Sequence, residues 1–162
     1  MTGLFVAFYL YIKEAEPGGK WQYKDVWKKM RPVLFLFYAS LLLVSTVFSR
    51  ENINPYQSVF EDFGLRDDVK WNNEIIENIL LFIPLTILFL NAFSPEKPWK
   101  ASLILSACAT GFIEFSQLLF WLGEFQLADI FHNIVGGMIG YGIWRAGKMI
   151  VTRKSSLSSG GQ

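Results

Sequence analysis

The sequence contains only one cysteine and one histidine, the residues on which disulfide bonds and many metal sites depend. The single Cys108 excludes an intramolecular disulfide and a cysteine-based metal cluster. A glycine-rich phosphate loop, a His-x-x-Glu-His motif and internal repeats are also missing from the sequence. We therefore expect no metal and no bound cofactor, and the common nucleotide-binding and zinc-peptidase motifs are excluded.

Charged residues are also scarce, at 18% of the 162 residues, whereas 52% are hydrophobic. A transmembrane helix needs about 20 mostly apolar residues, and runs of about this length occur at residues 32–48, 75–93, 101–122 and 128–144. None of these runs alternates apolar and polar residues as a membrane β-strand does. The sequence therefore predicts an all-α fold, a polytopic transmembrane helical bundle with four spanning helices.

A further apolar stretch, residues 4–12, is too short to span a membrane, because as a helix it reaches about 15 Å, roughly half of the hydrocarbon thickness. It predicts a short N-terminal interfacial or re-entrant helix, with a truncated fifth span as the alternative. The chain then divides into an N-terminal interfacial and cytoplasmic segment at 1–31, a transmembrane domain at 32–145 and a cytoplasmic tail at 146–162. The Ser/Gly-rich end of that tail predicts disorder.

Basic residues are concentrated before the first run, between the second and third runs, and after the fourth. The connection at residues 49–74 is acidic, and the turn after Trp121 has no basic residue. The positive-inside rule thus predicts a multi-pass protein of the cell membrane with both termini in the cytoplasm. The cations interleaved with aromatic residues at 20–31 suit an anionic lipid surface better than nucleic acid.

Polar residues recur at helical spacing inside three of the apolar runs. The third run has a stripe of small and polar residues, which are Ala107, Thr110, Gly111, Glu114 and Gln117. One face of the fourth run has Asp129, His132, Asn133, Gly136, Gly137 and Gly140, and the second run has Glu77 and Asn78 near its start. Such stripes face protein and not lipid, and the three glycines predict close packing between helices.

The polar residues of these runs lie at similar depths, about 5 to 12 Å below the outer ends at about 1.5 Å per residue. Ionisable groups at such depth are costly and usually mark function. We therefore predict a ligand-binding pocket open to the extracytoplasmic side, formed by Glu77, Asn78, Glu114, Gln117, Asp129, His132 and Asn133. The alternative is a structural role for single residues: the amides as hydrogen bonds between helices, Asp129 as a helix cap and His132 as an interfacial residue.

Five segments in order resemble the VanZ-like family of bacterial membrane proteins: Arg50, NPYQSVF at 54–60, NILLFIPL at 78–85, IEFSQ at 113–117 and FQLADIFHNIVGGMIGY at 125–141. The resemblance covers about residues 32–145. It implies a small polytopic protein of the bacterial cell envelope, whose namesake gives low-level resistance to the glycopeptide teicoplanin. By motif it implies the signature positions Asn78, Glu114, Gln117, Asp129, Asn133, Gly136 and Gly140.

Two main classes of function follow from these observations. The favoured class is a non-enzymatic protein that binds an amphiphile in the pocket, such as a lipid-linked cell-wall intermediate or a lipoglycopeptide, with membrane lipids as further partners. The alternative is an intramembrane enzyme acting on a lipid or isoprenoid-linked head group, with Glu114 as general base and His132 as acid or ligand. Ion translocation is a weaker hypothesis, because the inner halves of the runs offer no polar path.

Overall fold

The computed structural model describes residues 23–48, 69–121 and 125–159, and the regular structure in those ranges is helical. Helix α1 (Tyr23–Leu43) continues into a π-helical segment (Val44–Phe48), and is followed by α2 (Val69–Phe93), α3 (Pro98–Phe120) and α4 (Leu127–Ser159). The chain forms two compact units, Met1–Met30 and Arg31–Gln162. The interfacial or re-entrant helix predicted at 4–12 lies outside the described residues.

Three helices in the described ranges are long and apolar enough to cross a membrane, at Val26–Val47, Asn72–Phe93 and Pro98–Phe120. They correspond to the first three predicted spans, which confirms the all-helical, membrane-type prediction for this part of the chain. Helix α4 contains the fourth predicted span but is not among the three. Polar residues in its first turns and several glycines make it less apolar, so a bundle of four spans stays a prediction.

Several helix ends differ from the predicted runs. Helix α3 starts at Pro98, where the missing N–H of proline costs no helical hydrogen bond. It ends at Phe120 and is capped by Trp121, whose backbone is left-handed and whose N–H donates to the Gln117 carbonyl. Helix α4 continues to Ser159, into the range 146–162 that the sequence assigns to the tail. Lys148 and Met149 in this range are good helix formers, and disorder of the tail stays a prediction.

Helix α4 packs most extensively against α2 and next against α3. A Cβ atom on Gly136 would overlap the backbone carbonyl of Ile79, and one on Gly140 would lie 2.6 Å from the carbonyl oxygen of Ile83. A Cβ atom on Gly137 would overlap the side chain of Ser106 in α3. Small residues at these positions therefore let the backbone of α4 approach both neighbouring helices closely.

A small apolar core lies where the end of α1 meets α2 and α3, with Leu42, Val47, Phe82, Leu85 and Ile113 buried. Other large apolar side chains of α3 are exposed instead, including Phe112, Phe115, Leu119 and Phe120. A soluble monomer rarely exposes so much contiguous apolar surface. These faces suit contact with hydrocarbon, as the sequence predicts for the residues outside the polar stripe.

Asn91 of α2 connects three helices at one end of the bundle. Its side-chain oxygen accepts a hydrogen bond from Trp144 Nε1 at 3.1 Å, and its backbone carbonyl accepts one from the Arg31 guanidinium at 3.5 Å. The Lys148 ammonium group lies 5.4 Å from the centre of the Trp144 ring. Positive charge therefore collects at this end, which is the end that the charge distribution predicts to be cytoplasmic.

Candidate functional site

Helix α3 contributes a buried polar face. Only part of the stripe predicted from the sequence belongs to this face. Its buried polar side chains at intervals of three or four positions are Ser102, Ser106, Thr110, Glu114 and Gln117, and Ser116 is buried beside them. Ala107 and Gly111, which the sequence analysis placed in the stripe, are exposed. Ser106, and not Ala107, lies against Gly137. The face of α3 that meets α4 is therefore rotated by about one residue from the predicted stripe.

Six of the seven predicted site residues are buried, with exposed fractions between 0% and 7%. We call these six the buried polar cluster: Asn78 of α2, Glu114 and Gln117 of α3, and Asp129, His132 and Asn133 of α4. Glu77 is exposed, because successive residues of a helix point about 100° apart and its neighbour Asn78 takes the inward direction. The contact of Gly136 with Ile79 places the part of α4 that follows Asn133 by one turn beside Asn78.

Two amides of the cluster link α3 to its neighbours. Gln117 Nε2 donates to the backbone carbonyl of Thr46 at 3.1 Å, and this carbonyl is in the π-helical segment that follows α1. Carbonyls in the last turn of a helix have no partner within the helix, so a side chain from another helix can bind there. Asn133 Nδ2 donates to Thr110 Oγ1 at 2.9 Å and thereby joins α4 to α3.

The carboxylate of Glu114 lies at the start of α4. It is 2% exposed, and its Oε2 accepts a hydrogen bond from the backbone N–H of Gln126 at 3.2 Å. A hydrogen bond to an ionised acceptor is stronger than a neutral one. Because α4 begins at Leu127, Asp129 lies inside the first turn and not at the cap position. The N-terminal end of α4 therefore has two buried carboxylates, where the helix dipole favours negative charge.

Several buried polar atoms have no hydrogen-bond partner among the described residues. They include Asn78 Nδ2, Gln117 Oε1 and Asn133 Oδ1 of the cluster. Thr86 Oγ1 and Ser106 Oγ, next to Gly137, are in the same condition. A buried polar atom without a partner costs about 1–3 kcal/mol. The cluster therefore keeps both donor and acceptor capacity that a polar head group could use.

A cavity of about 610 Å³ opens between the end of α1 and the first turns of α2. Its described lining consists of Ser45, Thr46, Glu74, Glu77, Asn78, Leu80 and Leu81. Two predicted site residues, Glu77 and Asn78, are in this lining, and Thr46 connects it to Gln117. Its volume is in the range of ligand sites in proteins, about 300–1,000 Å³.

Several residues of the site were not predicted from the sequence. Ser106 continues the polar row of α3 at the same spacing as Thr110 and Glu114, so periodicity alone could have found it. Thr46 contributes a backbone carbonyl and Gln126 a backbone N–H. Backbone groups leave no signal in residue types, so neither contact could be predicted from the sequence.

The described residues thus define a helical protein of membrane type with a polar cluster buried between apolar helices. No group of three His, Cys, Asp or Glu side chains in this part of the chain is placed to hold a metal ion. The model of the VanZ/LLP1 family matches residues 4–151, nearly the whole chain, and the chain belongs to this family. Searches of curated proteins and of solved structures found no match.

The family match also bears on the extent of the domain. The sequence analysis limited the resemblance to about residues 32–145, whereas the matched region begins at residue 4 and ends at residue 151. The N-terminal segment before α1 is therefore part of the family pattern.

Proposed function

We propose that this protein is an integral membrane protein of the bacterial cell envelope that binds an amphiphilic or lipid-linked ligand at the buried polar cluster. The observation that carries the proposal is the burial of Asn78 Nδ2, Gln117 Oε1 and Asn133 Oδ1 without partners among the described residues. Side chains of this kind inside a membrane protein usually mark a functional site. A polar head group would supply the missing hydrogen bonds.

The surroundings of the cluster favour an amphiphile over a water-soluble ligand. The cavity that contains Asn78 is lined on one side by Leu80 and Leu81, and Leu80 is exposed at the surface. Ile76, close by on α2, is also exposed. A ligand that enters from the lipid can keep its hydrocarbon part in an apolar environment while its head group reaches Asn78.

We further propose four membrane spans with both termini in the cytoplasm, so that the buried polar cluster lies in the outer leaflet. Basic residues at the opposite end of the bundle support this arrangement. There Arg31 donates to the Asn91 carbonyl, and Lys148 lies over the Trp144 ring. In this orientation the site faces the compartment in which glycopeptides act. Binding of a lipid-linked cell-wall intermediate or of a lipoglycopeptide there would give the antibiotic tolerance that the family name implies.

The proposal is tested by the lipids that copurify with the protein. We expect mass spectrometry of the wild-type protein, extracted from its host membrane, to find one class of lipid or lipid-linked intermediate enriched over the bulk membrane. Replacing Asn78 by leucine removes a buried amide of similar volume, and we expect it to reduce this enrichment about fivefold to tenfold, the value of one hydrogen bond.

Asn73→Leu is the matched control, since Asn73 is an exposed asparagine on the same helix. It should leave the copurifying lipids unchanged. A wild-type lipid profile identical to the bulk membrane, or an enrichment that Asn78→Leu does not alter, would rule out ligand binding at the cluster.

A further inference from the structure

A second cavity continues the first along the seam between α1 and α2. It has a volume of about 290 Å³ and is lined by Tyr38, Leu41, Leu42, Val44, Ser45 and Leu81. Ser45 and Leu81 line both cavities. We call the two together the α1–α2 groove. Helix α1 contacts α2 beside this groove through the hydrogen bond from Tyr38 to the Leu81 carbonyl.

The two ends of the groove differ in chemistry. The end near Tyr38 is lined by leucine and valine, and the hydroxyl of Tyr38 already donates to the Leu81 carbonyl at 2.9 Å. The other end has the carboxylates of Glu74 and Glu77 and the amide of Asn78. A groove that is apolar along one part and polar at one end matches the shape of an amphiphile with a hydrocarbon chain.

The polar end favours a particular kind of head group. The hydroxyls of Ser45 and Thr46 donate to the Leu42 carbonyl at 2.9 and 2.8 Å, so their protons are already used within their own helix. Asn78 is 7% exposed and its Nδ2 has no partner among the described residues. The described lining has two carboxylates and no basic residue. Glu77 therefore offers a carboxylate and Asn78 one buried donor.

We propose that the α1–α2 groove binds an amphiphile whose head group has a protonated amine and, beside it, a hydrogen-bond acceptor. The amine lies near Glu77, the acceptor binds Asn78 Nδ2, and the hydrocarbon chain runs along Leu81 toward Tyr38. This inference rests on the proposed function, because it names the ligand class for the same site. A head group that has an anionic group and no amine is disfavoured, since it would face the Glu77 carboxylate.

Three probes with the same twelve-carbon chain test the head-group preference: dodecylamine, N-dodecylacetamide and dodecanoic acid. Binding is measured by titration calorimetry on the full chain in phosphatidylcholine nanodiscs, with empty nanodiscs subtracted. We expect dodecylamine to bind at least about tenfold more tightly than dodecanoic acid, since like charges at close range are unfavourable.

Two substitutions separate the charge from the hydrogen bond. Glu77→Gln should weaken dodecylamine about fivefold and leave N-dodecylacetamide unchanged, whereas Asn78→Leu should weaken N-dodecylacetamide about fivefold. Glu96→Gln, at an exposed glutamate between α2 and α3, is the control and should change nothing. Ser45→Phe, at the junction of the two cavities, should weaken all three probes if they occupy the groove.

The outcomes distinguish this inference from the proposed function. Dodecanoic acid binding as tightly as dodecylamine would overturn the amine preference while leaving an amphiphile site in place. Saturable binding of dodecylamine that Ser45→Phe and Glu77→Gln do not affect would place the ligand outside the groove. Absence of saturable binding by all three probes overturns the groove, and together with an unenriched lipid profile it overturns the proposed function as well.

Discussion

Replacing Gly136 by alanine is expected to lower the free energy of unfolding by about 1–3 kcal/mol, the usual cost of forcing an added methyl group into a packed contact. The methyl group would overlap the backbone carbonyl of Ile79, and a backbone atom cannot turn aside as a flexible side chain does. Helix α4 would have to move away from α2 along the contact that also includes Gly140 and Ile83. This loss outweighs the gain of about 1 kcal/mol that alanine brings over glycine in a helix.

Gly142→Ala provides the matched control on the same helix. A Cβ atom on Gly142 would meet nothing within 4 Å, so only the helix-propensity gain of up to about 1 kcal/mol remains. Unfolding by sodium dodecyl sulfate in mixed micelles, followed by tryptophan fluorescence, measures both variants. If Gly136→Ala proved as stable as Gly142→Ala, the close approach of α4 to α2 would be refuted.

Replacing Glu114 by glutamine is expected to abolish the antibiotic tolerance that we propose for the protein, while membrane insertion stays normal. The substitution keeps the shape of the side chain but replaces the carboxyl group by a neutral amide. The amide oxygen can still accept from the Gln126 N–H, which donates to Glu114 Oε2 at 3.2 Å, but it is a weaker acceptor than a carboxylate. The second carboxyl oxygen becomes an NH₂ group, so an acceptor of the site is exchanged for a donor.

The measurement is the minimal inhibitory concentration of teicoplanin in a host that expresses the protein, with the amount in the membrane fraction determined by immunoblot. Glu96→Gln, an equivalent change at an exposed position, should keep the wild-type value. Tolerance that persists in Glu114→Gln at equal protein level would show that Glu114 has a structural role only.

The apolar runs predicted the helices of this protein better than the polar stripes predicted its site. Runs of about 20 apolar residues have few alternatives to a helix in a membrane, so α2 and α3 fall where expected. The buried face of a helix depends on where its neighbours lie, and a helical wheel does not contain that information. Gly111 was therefore included in the stripe although it is exposed, and Ser106 was missed.

The burial of Glu77 shows the same limit. The sequence placed Glu77 and Asn78 in one pocket, and both line the same cavity, but Glu77 is exposed and Asn78 buried because adjacent residues on a helix point in different directions. The direction of Asn78 is set by the contact of α2 with α4 at Ile79. This contact depends on glycines more than fifty residues away in the sequence, which is why single-run periodicity could not assign it.

The proposed site requires that Asn78 face a cavity that water reaches from outside the cell, and not the lipid. Cysteine replacement at Asn78 and, separately, at Phe115 tests this requirement, since Phe115 is an exposed residue of α3 that does not line the cavity and lies about 10 Å inside the outer end of its run. Both are made in a Cys108→Ser background because Cys108 is itself exposed. A membrane-impermeant cationic thiol reagent added to whole cells should modify Asn78→Cys and leave Phe115→Cys unmodified, since a thiol in hydrocarbon does not form the reactive thiolate. Modification of Phe115→Cys alone, or of neither residue, would contradict a water-accessible site at Asn78.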